Sequence, residues 1–315
     1  MVPDLIALTE GARYVVVRDG DVVEYCTTYR GGGVAVVGAA RRSDGAAVIA
    51  YSLDPVPEDP IDSAVDVLAA GCAIESTARF GSRQFSGLAI GPDDDIWVSD
   101  AWNGELLNID PEAGSVKRTL ALAGNAGRLQ AIDDRGRFYL VKRRGVRILN
   151  RDGAVVRDIP VDVPFISAVR IGRSGDLWIL AGLEMQHLSP AGELLDAFPA
   201  DNVGGGLALD ERAGRLWVST MTGEGTPGVL AFTTSGQIEN LVLADALRDS
   251  APVEVALIGA MPSVAASSDN GGCQISPQRG RSPGRATYLW LVAGAGWWIA
   301  RRRRAISAAD NILRA

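Results

Sequence analysis

Apolar and polar residues alternate with a period of two through most of the first 257 residues. The alternation comes in short runs broken by polar turns. Period-two alternation places one face of each run in a core and the other toward solvent, so each run is predicted to be a short β-strand. The segments LAIGPDDDIWVS, LQAIDDRGRFYLV, AVRIGRSGDLWIL and GLALDERAGRLWVS share one grammar: an alternating strand, a turn rich in Asp and Gly, then a second strand led by an apolar–aromatic pair. Each is followed by a third strand and a further turn, as in GELLNIDPEAGSV, GVRILNRDGAVV, MQHLSPAGELL and GVLAFTTSGQI. The Gly, Asp and Pro of these turns supply the positive or fixed φ that tight hairpins need.

Aligned on Trp97, Phe138, Trp178 and Trp217, the units repeat at spacings of 41, 40 and 39 residues. A period near forty with three or four strands per unit predicts an all-β fold, a β-propeller, because one unit cannot bury both faces without neighbours packed around a common axis. The four aromatics are expected to fill equivalent contacts between units. VAVVGAARRSDGAAVIAYSLD supplies a fifth unit and YVVVRDGDVVEYCT part of a sixth. About six blades are expected, with the N-terminal one short of strands. The expected division is a propeller over 1–258, a linker over 259–285, a membrane helix with its arginines over 286–304, and a short tail over 305–315.

The C-terminal region breaks the pattern. After a small-residue linker come Gly271, Gly272 and Cys273, then the uncharged run ATYLWLVAGAGWWIA, then Arg301, Arg302, Arg303 and Arg304. As a helix, fifteen residues span roughly 22 Å, short of a ~30 Å hydrocarbon core. Trp297 and Trp298 suit an interface, and snorkelling arginines extend the reach. A transmembrane helix is therefore expected, with the arginines on the cytoplasmic side and the propeller outside; an interfacial amphipathic or merely basic tail is the alternative. The first twenty residues have neither a basic start nor a continuous apolar stretch, so either the protein is not exported or Met1 lies inside a longer reading frame; the second fits the C-terminal segment better.

Charge follows the same division. Residues 1–273 carry a net −14 and the remainder +7. An acidic body argues against nucleic acid as partner, since phosphate binding needs a basic face. Three cysteines, Cys26, Cys72 and Cys273, are too few for a disulfide scaffold. One histidine, His187, cannot build a Ser-His-Asp set or a zinc site without a GxSxG elbow, a second His or a CxxC pair. Gly31 to Gly33 and Gly204 to Gly206 lead into strands rather than helices, so they are blade-entry turns and not phosphate loops. The acidic turn Asp93, Asp94, Asp95 reads as a solvated hairpin tip, with surface Ca²⁺ binding as the alternative.

The unit LAIGPDDDIWVSD…NGELLNIDPEAG resembles the blades of NHL-repeat, streptogramin-lyase-like and gluconolactonase-like six-bladed propellers, over about Ser86 to Leu243. The lyases in that group use more than one axial histidine, which this chain lacks. The gluconolactonase-like members imply a divalent cation, possible here as Ca²⁺, held by oxygen ligands, for which the matching candidates are Glu10, Asp100, Asn103 and Asp201. The C-terminal segment resembles the myxobacterial-type sorting signal (MYXO-CTERM), which implies a sorting protease, processing at Gly272-Cys273, and display at the cell surface. The short apolar run and the eleven residues after Arg304 depart from that pattern. The function expected is an exported, surface-anchored binding module for an unidentified protein or small molecule, with contacts through the loops near Trp102 and Asn103. A metal-dependent lactonase-type hydrolase is the alternative.

Overall fold

The computed structural model describes residues 5–257, apart from 10–12, 19–20, 28–33, 54–61, 69–73, 123–126, 201–202, 222–226 and 243–251. The chain divides into two compact units, Met1–Ser263 and Val264–Ala315, and every described strand lies in the first.

Five blades consist of four consecutive antiparallel strands each. Blade 1 holds β4 (Val34–Arg41), β5 (Ala47–Leu53), β6 (Asp62–Leu68) and β7 (Ile74–Gly81); blade 2 holds β8 (Phe85–Ile90), β9 (Ile96–Asp100), β10 (Glu105–Asp110) and β11 (Ser115–Ala121). Blade 3 holds β12 (Arg128–Ile132), β13 (Phe138–Lys142), β14 (Gly145–Leu149) and β15 (Val155–Pro160). Blade 4 holds β16 (Ile166–Ile171), β17 (Leu177–Ala181), β18 (Glu184–Leu188) and β19 (Leu194–Pro199). Blade 5 holds β20 (Val203–Asp210), β21 (Arg215–Met221), β22 (Pro227–Thr233) and β23 (Ile238–Val242).

The remaining sheet is composite. It joins β1 (Leu5–Thr9), β2 (Arg13–Arg18) and β3 (Asp21–Thr27) to β24 (Pro252–Leu257), in the order β24-β1-β2-β3. The sequence pattern suggested about six blades with an incomplete first one. The structure instead has five contiguous blades and this composite sheet, whose fourth strand comes from the far end of the described chain. β24 runs antiparallel to β1, pairing Leu5 with Leu257 and Ala7 with Val255. The innermost strands β24, β4, β8, β12, β16 and β20 each touch the next, and β20 returns to β24.

Burial follows position in the blade. The second strands β9 and β17 are buried throughout, whereas the outer strands β11 and β15 are exposed except for one inward residue. Between blades lie apolar layers. Val48, Val65 and Phe80 meet Phe85, Val98 and Leu107 between blades 1 and 2. Trp97 and Leu106 meet Phe138 and Leu140 between blades 2 and 3, with the Trp97 and Phe138 rings edge-on at 4.8 Å. Tyr139 and Ile148 meet Val169 and Ile179 between blades 3 and 4, and Trp178 and Met185 meet Leu216 and Phe232 between blades 4 and 5.

One expectation about the aromatics is corrected by register. Trp97, Trp178 and Trp217 pair with Ala89, Arg170 and Ala208, and the residue at their position in blade 3 is Tyr139, paired with Ala131. Phe138 pairs with Ile132 one step earlier, so it points to the opposite face and packs on blade 2. A one-residue shift in a strand exchanges faces. The expected set therefore mixed the two faces of the blade: Trp97 and Phe138 meet in one layer from opposite sides.

The inner strand of each of the five contiguous blades carries a register irregularity, between Val36 and Gly38, Phe85 and Gly87, Leu129 and Ala131, Ile166 and Ala168, and Val203 and Leu207. Bulges free backbone donors from the ladder. The preceding blade accepts several donors near these bulges: Ser63 Oγ accepts Phe85 N–H at 3.0 Å, Ser99 Oγ accepts Leu129 N–H at 3.0 Å, and Gln130 Oε1 accepts Val169 N–H at 3.4 Å. Close approach also demands glycine. A Cβ on Gly87 would lie 2.1 Å from Leu129 O.

Candidate functional site on the upper face

The upper face is the one where the inner strands begin and where the second strand of each blade turns into the third. In blade 2 that turn is Ala101 to Gly104, and it is organised by Asp100. Asp100 is fully buried at the end of β9. Its Oδ1 accepts the backbone N–H groups of Trp102 and Asn103, both at 3.1 Å. Its Oδ2 accepts Asn103 Nδ2–H at 2.7 Å and Arg83 Nη1–H at 3.2 Å. Arg83 also binds Glu105 across the turn. Burial alone would lower the Arg83 pKa, but the Glu105 and Asp100 carboxylates outweigh it and hold the value above the ordinary one. A buried carboxylate needs this kind of compensation.

The clamp fixes the turn and leaves Trp102 standing out, with 68% of its surface exposed. Asp100 is thus occupied in structure rather than open to a ligand. Of the residues suggested as a cation site, the structure brings Asp100 and Asn103 together, while Glu10 and Asp201 lie outside the described residues. Among the described residues no group of three or more His, Cys, Asp or Glu is placed to hold a metal ion. The residues Gly272, Cys273, Trp297, Trp298 and Arg301 to Arg304 also lie outside the described residues. Among the described residues no helix is long and apolar enough to cross a membrane.

The corresponding turns of the next two blades are tighter. In blade 3, Lys142 pairs with Gly145, which leaves Arg143 and Arg144 at the tip, both exposed. In blade 4, Ala181 pairs with Glu184, which leaves Gly182 and Leu183 at the tip. Gly182 takes a φ of +63°, the left-handed turn region, and Leu183 is 64% exposed. Backbone bonds brace both hairpins, from Val161 N–H to Arg144 O at 3.1 Å and from Ala200 N–H to Leu183 O at 2.9 Å. Between blades 3 and 4, Phe165 is 52% exposed although Val163 and Ile166 beside it are buried. Sequence reading singled out Trp102 and Asn103 but missed Arg83, Phe165, Leu183 and the arginine tip. Aligning the turns between second and third strands, rather than the aromatics, would have set Trp102, Arg143-Arg144 and Leu183 side by side.

The lower face holds closed networks instead. His187 Nε2 lies 2.7 Å from Asp176 Oδ2, its ring stacks on Trp178 at 4.0 Å, and Ser174 donates to the other Asp176 oxygen. The serine contacts the aspartate and not the histidine, so this is no nucleophile–base pair. Burial pushes the Asp176 carboxyl up, but the bonds from Ser174 and His187 prevail and hold it below the usual range. The acidic turn is also engaged: Asp94, at φ +59°, accepts Ser43 N–H at 2.9 Å and the Ser43 hydroxyl. These bonds from Ser43 lower its pKa. A cleft lined by Arg42, Asp94, Asp110 and Lys117 has a volume of about 130 Å³, below the few hundred Å³ of typical small-molecule sites.

The chain folds as a β-propeller. The structure of a nidogen/laminin complex superposes with a TM-score of 0.63 at 11% identity, covering 82% of this chain and 98% of that one. The WD40 β-propeller domain of Doa1 superposes at 0.52 and 10% identity, covering 76% and 79%. Streptogramin B lyase gives 0.49 at 14% identity, covering 68% and 70%. No protein-family model and no curated protein matches the sequence. Identities this low establish the propeller architecture and nothing finer.

Proposed function

We propose that this propeller is a binding module for macromolecular partners, exported and held at the cell surface through its C-terminal segment. The observation that carries the binding role is Trp102. A large aromatic is held out from the upper face by a fully buried carboxylate and four hydrogen bonds. Exposed tryptophans are frequent anchors of protein interfaces, and a backbone already fixed on both sides of the residue leaves less loop ordering to be done on binding. The nidogen/laminin structure, of similar fold, is a complex of two proteins. That precedent supports the same use here.

Export and anchoring rest on the sequence order Gly272-Cys273, apolar run, arginine block. The chemistry expected is processing at Cys273 by a membrane protease. The hydrolase alternative draws less support, since Asp100 already serves Arg83 and the Trp102 turn.

Both parts are testable with the tagged full-length chain. Recovery in the membrane fraction, shifting to the soluble fraction with Cys273→Ser, is expected. Equal soluble recovery of both would remove the anchoring part. Cross-linking on intact cells should yield partner adducts that Trp102→Ala depletes, and adducts indifferent to that change would remove the binding role of the upper face.

A further inference from the structure

The upper-face turn of blade 2 reads Ala101-Trp102-Asn103-Gly104, and its last two residues are one of two Asn-Gly pairs in the chain, the other being Asn270-Gly271. In an Asn-Gly pair the side-chain amide is open to attack by the next backbone nitrogen, because glycine has no Cβ to shield that nitrogen. Asparagine counts among the thermolabile residues for this kind of reason. The local structure leaves the Asn103-Gly104 pair accessible. Asn103 is exposed, and Gly104 takes a φ of +67°, with Leu122 O at 3.8 Å the nearest atom to where a Cβ would stand. The chain is held on either side of the pair. Asp100 accepts the Trp102 and Asn103 N–H groups, and Leu122 N–H donates to Gly104 O at 2.8 Å.

The second observation is that the Asn103 side chain is itself part of the clamp. Its Nδ2–H donates to Asp100 Oδ2 at 2.7 Å, the shortest of the four bonds that hold Asp100 in the turn. An acid in place of this amide would undo the arrangement in three ways. The donor to Asp100 disappears. A new negative charge stands beside a carboxylate that is fully buried, where repulsion is weakly screened. Arg83, already shared between Asp100 and Glu105, would have to serve a third carboxylate with its single charge.

We infer that Asn103-Gly104 is a site of spontaneous deamidation, and that its conversion to the acid releases Trp102 from its fixed presentation. The consequence for partner binding rests on the binding-module reading above; the chemistry and the loosened turn do not. The Asn103 amide first leaves Asp100. Gly104 N then gives up its proton and bonds to Asn103 Cγ, while the Cγ–Nδ2 bond breaks and ammonia departs with that proton, leaving a five-membered imide. Water opens the ring at either carbonyl. Opening at Cγ gives aspartate at position 103. Opening at the main-chain carbonyl gives isoaspartate, which adds a methylene to the backbone of a four-residue turn and leaves a free carboxylate beside it. Both products carry the extra negative charge. Because the Gly104 nitrogen must lose a proton, conversion speeds up as pH rises. The rigid display of Trp102 therefore has a lifetime written into the turn that creates it.

The test uses the full-length chain carrying Asn270→Gln, which removes the other Asn-Gly pair, aged at mildly acidic and mildly alkaline pH beside a sample unfolded in urea. A more acidic fraction is expected to accumulate in the folded protein, faster at the alkaline pH. Its peptide spanning Asn103 should show the mass gain of amide to acid and separate into aspartate and isoaspartate forms. Hydrogen exchange at the Trp102 and Asn103 N–H groups should be about tenfold faster in that fraction than in the unconverted protein, and equally fast in freshly made Asn103→Asp. Conversion in urea with none in the folded protein overturns the inference. So does a converted fraction whose turn exchanges as slowly as the parent's. Either result leaves the binding-module reading intact if Trp102→Ala still depletes the cross-linked adducts. A converted fraction with a loosened turn and undiminished adducts supports the modification and removes Trp102 from the binding-module reading instead.

Discussion

At the scale of single residues, two carboxylates carry testable weight. Asp100 holds Arg83 and the Trp102 turn from a fully buried position. Asp100→Ala should cost about 3 kcal/mol by leaving the buried partners unpaired, read as a lower urea midpoint, and should loosen Trp102, read as reduced fluorescence anisotropy. Asp176 works through pH. Its folded pKa is depressed, so its contribution is complete above the unfolded value of about 3.9 and is lost as pH falls through the folded value. Asp176→Asn should therefore unfold at lower urea than the parent at pH 7. The gap should narrow steadily as pH is lowered from about 5 to below 3, and a gap independent of pH would refute the assignment. Neither role was legible in the sequence. Asp100 stood out there as a possible cation ligand, because its partner Arg83 lies seventeen residues away, beyond the turn, and only the fold brings the two together.

At the scale of elements, most of the architecture was legible and its register was not. The alternating runs led to the strands because burial of one face selects period two. Phe138 led the alignment astray because an aromatic one position early is as apolar as one in register, and only pairing tells the faces apart. The bulges escaped notice for a related reason: Ser86, Gln130 and Ser167 carry no composition signal for an extra residue. Blade contacts make two glycine substitutions a sharp comparison. Gly87→Ala forces a methyl into the space of Leu129 O at 2.1 Å and should cost about 2–4 kcal/mol, through strain between β8 and β12. Gly81→Ala meets nothing within 4 Å at the end of β7 and should be neutral or stabilise by up to about 1 kcal/mol. Chemical denaturation of the two variants beside the parent measures both. A similar test applies to the hydroxyl between blades 2 and 3, where Ser99→Ala strands the Leu129 N–H and should cost about 1–3 kcal/mol.

At the scale of the molecule, the ring is closed by a single strand pairing, β1 with β24. Removing β24 by truncation before Pro252 should expose the inner edges of β20 and β4, which it touches, and replace one cooperative urea transition by a broader one with early proteolysis between blades. This closure could not be read from the N-terminal repeat, which lacks a strand locally, because the missing strand is encoded beyond blade 5. The joint also imposes an order in time. During synthesis Leu5 leaves the ribosome long before Leu257 exists, so β1 must wait with one edge unpaired while five blades assemble behind it. An unpaired edge is where one chain captures another. Molecules made close together on one message would have the opportunity to exchange last strands before each finds its own. Closed dimers formed in that way would present two upper faces from one assembly.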